Sequence, residues 1–245
     1  MSNFGPAKPL TRLPKSSLAE ALKRRFDVVE HGITIADRLF DLRHPRSADD
    51  LIREDDFNRD ERLPYWAEVW PSAYVLAQRI AVEGQAESDW PKRTLVELGC
   101  GCGLAAIVAT AFGFDTTAVD YYPEALEFVR LNAELNEIPS PTARLVDWRN
   151  YPPDLRDADL VVAADVLYER DYCRLVAAAF RQSLRPGGLG ILTDPQRSKA
   201  EAFPEECLRA GLQVSPPQVF GPLSVPGGDP AVRQTVNLFE IRRID

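Results

Sequence analysis

The chain has 245 residues, 45% of them hydrophobic and 27% charged, a globular composition that is neither disordered nor fibrous. Its 29 basic and 37 acidic side chains leave a net charge of −8, which argues against binding nucleic acid by broad phosphate neutralisation. Four cysteines are too few for a disulfide framework. No run approaches the ~20 apolar residues of a membrane span and no signal-peptide pattern opens the chain, so a cytoplasmic protein with reduced thiols is expected.

Residues 1–15, with Pro6, Pro9 and Pro14 among polar neighbours, read as a mobile lead-in. A helix starts at Ser16-Ser17, with Glu20 in capping-box position. Near-alternation of Val28, Ile33, Ile35, Leu39 and Phe40 around Glu30-His31-Gly32 reads as a β-hairpin. Residues 43–62 are densely charged and read as a solvated linker. The expected division is an N-terminal extension over 1–62 and a main domain over 63–245.

From Leu63 the chain turns aromatic and apolar, and Pro71 opens a helical pattern. Strands are expected at Thr94–Leu98, Thr116–Val119, Ala143–Val146, Leu160–Ala164 and Leu189–Thr193. Helices are expected at Leu104–Phe112, Pro123–Asn136, Tyr172–Leu184 and Lys199–Ala210. Short buried strands alternating with helices imply an α/β fold, a parallel sheet covered on both faces. The tail reads differently: Val214–Phe220 and Val232–Ile241 form two antiparallel strands joined by a long loop over 221–230.

The sharpest local signal is Glu97-Leu98-Gly99-Cys100-Gly101-Cys102-Gly103-Leu104. A strand enters three glycines at alternate positions and leaves as a helix. Such a loop turns tightly, lets a ligand approach the backbone, and aims a helix N-terminus at it. The spacing G-x-G-x-G is not the G-x-G-x-x-G dinucleotide fingerprint. Asp120 ends the next strand, placed to accept hydrogen bonds from ribose hydroxyls. Glu97 lies inside a strand, where a buried charge needs a partner, loop amides or a cationic ligand group. Cys100-x-Cys102 is not read as a metal site, because tetrahedral zinc wants four ligands and no second pair has usable spacing.

These residues resemble class I S-adenosylmethionine-dependent methyltransferases. Trp66-Ala67-Glu68-Val69-Trp70-Pro71, Asp147-Trp148 and Ala164-Asp165-Val166-Leu167-Tyr168 narrow the resemblance to the family-16, seven-β-strand protein lysine methyltransferase-like branch. The resemblance covers residues 63–245. It implies a Rossmann-like, doubly wound, seven-stranded, mostly parallel sheet with an antiparallel terminal strand pair. It implies S-adenosyl-L-methionine as cofactor, with Gly99, Cys100 and Gly101 along its methionine part, near Glu97. Asp120 would hold the ribose, Asp147 and Trp148 would flank the adenine, and Trp70 and Ala164 would border the methionine end. Asp165 and Tyr168 would be the catalytic pair where the methyl acceptor enters.

The physical chemistry agrees with these placements. Adenine needs an aromatic wall and an acceptor for its amino group, and a sulfonium is stabilised by carboxylates and aromatic faces. The expected activity is N-methylation of a protein lysine side chain. Methylation of a small molecule is the alternative within the class. A nicotinamide-dependent oxidoreductase and a cofactor-binding interaction module are the alternatives outside it. No nucleic-acid, membrane or metal partner is expected, and the oligomeric state is left open.

Overall fold

A computed structural model describes residues 17–48, 51, 64–85, 93–224 and 233–244. The expected lead-in over 1–15 lies outside them, as do most of the charged residues between 49 and 62 and the tip of the 221–230 loop.

The chain opens with α1 (Ser17–Arg25), then β1 (Val28–Ile35) and β2 (Arg38–Pro45), which pair antiparallel in a sheet of their own. The hairpin turns at Ala36-Asp37, both at positive φ, and not at Glu30-His31-Gly32, which lies within β1. Positive φ at both central residues fits the right-handed twist of the strands. The register sets Ile33 opposite Phe40, and Ile33, Ile35, Phe40 and Leu42 share one fully buried face. A second correction concerns Arg43, His44 and Pro45. They belong to β2 rather than to a solvated linker, and Arg43 is fully buried with its Nε 2.8 Å from Glu30 Oε2.

The main sheet is built from β3 (Thr94–Leu98), β4 (Asp115–Asp120), β5 (Thr142–Leu145), β6 (Ala158–Ala164) and β7 (Leu184–Asp194), all parallel. It is completed by β8 (Leu212–Val214), β9 (Gln218–Ser224) and β10 (Arg233–Arg243). The strand order is β5-β4-β3-β6-β7-β10-β8, with β9 also on β10. The sheet is therefore mostly parallel with an antiparallel end, as expected, but it has eight strands and three of them come from the tail. Both β8 and β9 pair with the long β10. Pro216 and Pro217 separate them, because proline cannot donate to a ladder.

The connecting helices are α2 (Pro71–Gln85), α3 (Leu104–Ala111), α4 (Pro123–Leu135), α5 (Arg170–Ser183) and α6 (Phe203–Arg209). The last follows a 3-10 turn at Ser198–Ala202, and Pro204 stands in its first turn. Alternate residues of the strands serve opposite faces. Leu95, Leu160 and Val162 pack with α2 and α3, whereas Val96, Val161 and Ala163 pack with α5. Burial on both faces is why these strands read as nearly continuous apolar runs.

The chain lays down β3, then β4 and β5 on one side, and crosses to β6 on the other. That reversal opens a crevice at the carboxyl ends of β3 and β6, where ligands of such sheets bind. The N-terminal hairpin is tied to the same end of the molecule. Asn132 of α4 and Asn136, which caps its C-terminus, bond the backbone of Arg43 and Asp41 in β2 through both side-chain oxygen and nitrogen.

Candidate active site

The crevice is a single cavity with about 970 Å³ of empty space, its open mouth included. All eleven residues singled out from the sequence line it: Trp70, Glu97, Gly99, Cys100, Gly101, Asp120, Asp147, Trp148, Ala164, Asp165 and Tyr168.

The floor is the glycine loop. Gly99, Gly101 and Gly103 stand at φ +69°, +51° and +87°, a region that costs other residues roughly 1–2 kcal/mol. A Cβ on Gly99 would lie 2.9 Å from Val166 Cγ1 and 3.3 Å from Trp148 Cζ2. The first and third glycines therefore answer to packing as well as to backbone conformation, since a Cβ on Gly103 would meet Val129 at 2.7 Å. Gly99 and Cys100 donate their N–H groups to Val119 at 2.8 and 2.9 Å, which fixes the loop to β4.

Two acids face each other across this loop. Asp120 accepts from Gly101 N and Tyr122 N, each at 2.9 Å and each on a different oxygen. A carboxylate offers about four lone-pair sites, and the Tyr121 amide takes a third, which leaves about one for a ligand hydroxyl. Burial pushes Asp120 up to about 6, against the pull of its amide donors. Glu97 is 2% exposed and its Oε2 has no partner. Burial, with the Asp120 charge adding to it, pushes Glu97 up to about 8, although the Ala106 amide bonds it. A buried carboxylate in a cavity wall with one oxygen left unpartnered is a site for a cationic or donor group.

The walls are aromatic. Trp148 stands edge-on to Tyr172 at 5.4 Å, Tyr172 to Tyr168 at 5.1 Å, Tyr168 to Tyr65 at 5.0 Å and Tyr65 to Trp70 at 6.1 Å. Trp70 is fixed by its Nε1, which donates to the Tyr65 carbonyl at 3.0 Å. Trp66 diverges from Trp70 and packs on Phe26 and Phe128. Asp147 caps the 3-10 turn at Trp148–Asn150, accepting from Arg149 N at 2.9 Å and from the Arg149 guanidinium at 2.6 Å.

At the mouth, Asp165 follows β6 at φ +55° and its N–H donates to Thr193 at 2.8 Å. Aspartate is one of the few residues that enters this region at modest cost. Its carboxylate is bound by Arg197, a residue the sequence did not flag, through both Nε and Nη2. Tyr65 and Tyr172 were also missed. Tyr65 stands just ahead of the Trp66–Pro71 motif, whereas nothing local marked Arg197. Cys100 and Cys102 are buried thiols held far above their usual range by that burial. Among the described residues no cluster of histidine, cysteine and acids is arranged for a metal, and no helix is long and apolar enough to cross a membrane.

A glycine loop, strand-end acids and an antiparallel sheet end together define the S-adenosylmethionine-dependent methyltransferase fold. The S-adenosylmethionine-dependent methyltransferase of Agrobacterium tumefaciens superposes with a TM-score of 0.59 at 15% identity, over 88% of this chain and 70% of that one. A ribosomal protein L11 methylase from Lactobacillus delbrueckii gives 0.52 at 19% identity, over 70% and 80%. Within that fold the chain belongs to the lysine methyltransferase family, whose model matches residues 56–203.

Among relatives, the electron transfer flavoprotein beta subunit lysine methyltransferase of Xenopus laevis is 32% identical over 146 residues, 58% of this chain and 56% of that protein. Mouse EEF1A lysine methyltransferase 3 is 30% identical over 154 residues, 60% and 63%. The ribosomal protein L11 methyltransferase of Cupriavidus taiwanensis is 33% identical over 126 residues, 50% and 39%. The chain thus spans about half the length of the curated relatives it matches.

Proposed function

We propose that the protein transfers a methyl group from S-adenosylmethionine to the side-chain amine of a protein lysine. The carrying observation is the unpartnered Oε2 of buried Glu97 in one cavity with the glycine loop, Asp120 and an aromatic rim. That set fits a nucleoside bearing a sulfonium and an ammonium. Asp120 has a lone pair left for a ribose hydroxyl, Trp148 offers a ring face for adenine, and Glu97 offers a carboxyl deep in the wall that ionises beside a cationic group. Gly99 and Gly101 let the loop pass close under Val166 and Trp148 and against the Trp66 backbone, where a Cβ would crowd. When bound, S-adenosylmethionine supplies an electrophilic methyl on its sulfonium.

Methyl transfer of this kind is an in-line displacement, so the chain mainly positions the two reactants. A lysine ammonium has a reference pKa of about 10.4 and no lone pair. Entry past Tyr65, Tyr168 and Trp70 desolvates it, and desolvation favours the neutral amine. Asp165 and the Tyr168 hydroxyl orient that amine by accepting its N–H bonds. Aromatic faces at the rim hold the incoming cation by about 0.5–2 kcal/mol. The reading places the protein in the cytoplasm, where buried free thiols persist. It treats residues 1–62 as an extension whose hairpin braces the glycine loop.

The test is incubation of a cell extract from a deletion strain with the protein and methyl-labelled S-adenosylmethionine. Label in protein, released as methylated lysine on hydrolysis, supports the reading, and Asp165→Ala abolishes it while S-adenosylhomocysteine still binds. Label found only in small molecules overturns it.

A further inference from the structure

Asp165 does not stand alone at the cavity mouth. Its side chain is 1% exposed, and Arg197, 31% exposed, approaches it from the loop that follows β7. Nε bonds one carboxylate oxygen and Nη2 bonds the other at 3.0 Å. The guanidinium carbon also lies 5.7 Å from the Trp70 ring centroid. The loop carrying Arg197 is itself anchored by an acid, because Asp194 Oδ1 accepts from Arg197 N at 2.8 Å.

We propose that Arg197 is a positioning residue for methyl transfer: its fork fixes the rotation of the Asp165 carboxylate against Trp70 and so selects which lone pairs face the incoming amine. The assignment rests on the function proposed above, because it concerns the acceptor end of the same cavity. Arg197 acts through Asp165, whose two oxygens its fork holds.

Three features separate this pair from an ordinary surface ion pair, which contributes little. One partner is fully buried, so removing the other leaves an uncompensated charge out of water. The geometry is bidentate, which fixes orientation as well as charge. And Asp165 is held at a positive φ, so its side chain leaves the backbone in a direction that regular strand geometry would not give.

The consequence for the chemistry is specific. With the fork on both oxygens, Arg197 works against the rise that burial gives Asp165, and the role assigned to the carboxylate is to orient the amine. Asp194 from the end of β7, Tyr65 from the turn ahead of α2 and Tyr168 from the segment after β6 are the other titratable groups around the pair. Burial raises Asp165 and Arg197 opposes that rise. Loss of the guanidinium therefore moves Asp165 toward the protonated form.

The experiment uses Arg197→Met and Arg197→Lys with two independent readouts. The first is the titration of the Asp165 carboxyl followed by carbon NMR. In Arg197→Met its proton dissociation constant falls at least about tenfold, and in Arg197→Lys by less, because the charge stays and the fork is lost. The second is the labelled-methyl assay with the deletion-strain extract. The variant's kcat falls about tenfold or more at neutral pH, with the acid limb of the pH profile moved upward and the KM for S-adenosylmethionine unchanged. If Arg197→Met does not fold, Arg197→Lys decides: partial loss of label with an upward acid limb supports the role. An unchanged Asp165 titration, or wild-type labelling in either folded variant, overturns it. A shifted titration in a protein whose wild type labels no protein upholds the Arg197–Asp165 coupling and removes the proposed function instead.

Discussion

Asn132 joins the N-terminal hairpin to the glycine loop: its Nδ2 donates to the carbonyl of Cys102 at 2.8 Å and to that of Arg43 at 2.9 Å, while its Oδ1 accepts from Arg43 N at 2.8 Å. The residue is fully buried. A helix side chain thus stands in for a neighbouring strand along β2, and the same amide sets one carbonyl of the glycine loop. Residues 43 and 102, far apart in the chain, are held by a single group.

Asn132→Ala leaves three backbone polar groups unpaired in the interior. Each such group costs about 1–3 kcal/mol, with some relief from local relaxation, so a loss of roughly 2–4 kcal/mol in unfolding free energy is expected. Urea denaturation measures it. Affinity for S-adenosylhomocysteine falls in the same variant, because the loop over Cys100–Gly103 loses one of its anchors. Unchanged affinity would separate the hairpin from the site.

Glu97 gives the site a pH dependence whose sign is fixed. Pushed up to about 8, it carries a proton at neutral pH, whereas in the unfolded chain it ionises near its usual value. Its contribution to stability is therefore largest at low pH and declines as the pH rises from about 4.5 to about 8. A ligand with a positive group prefers the ionised form. Binding of S-adenosylhomocysteine, through its ammonium, then releases a proton, and affinity climbs between about pH 6 and 8. Calorimetric titration in buffers of different ionisation enthalpy counts that proton. Glu97→Gln abolishes the release and flattens the climb.

Gly99→Ala tests the floor of the cavity. Its φ of +69° carries a cost of about 1–2 kcal/mol for any Cβ, and the new methyl meets Val166 at 2.9 Å and the Trp148 ring at 3.3 Å. Thermal unfolding registers the strain. Displacement of Trp148 lowers nucleoside affinity by about tenfold or more, which the tryptophan fluorescence of a ligand titration follows. A stable variant with unaltered affinity would place adenine elsewhere.

Tyr168→Phe removes a hydroxyl and keeps a ring packed between Tyr65 and Tyr172 at 5.0 and 5.1 Å. Stability changes by less than about 1 kcal/mol. Label transferred to protein falls by about ten- to a hundredfold in kcat, while S-adenosylhomocysteine affinity holds, as the proposed place of the hydroxyl at the acceptor end requires. A fall in nucleoside affinity in this variant would put Tyr168 on the cofactor side.

The amino-acid sequence determined what short-range chemistry can write. Four-to-six-residue apolar strands, helices of fixed period, a loop with glycine at alternate positions and acids at strand ends each carry a local signature. A parallel sheet necessarily brings its carboxyl ends together, and so the eleven residues named from the sequence meet in one cavity. The tertiary structure alone decided the rest. Ala36-Asp37 became the hairpin turn because that register buries Ile33 and Phe40 together. Arg43 left the charged stretch for the interior because Glu30 and Asn132 awaited it there. Arg197 met Asp165 across 32 positions. Which of many arginines finds a buried carboxylate depends on how β6 and β7 align once their apolar faces are packed, and no local pattern of residues encodes that alignment.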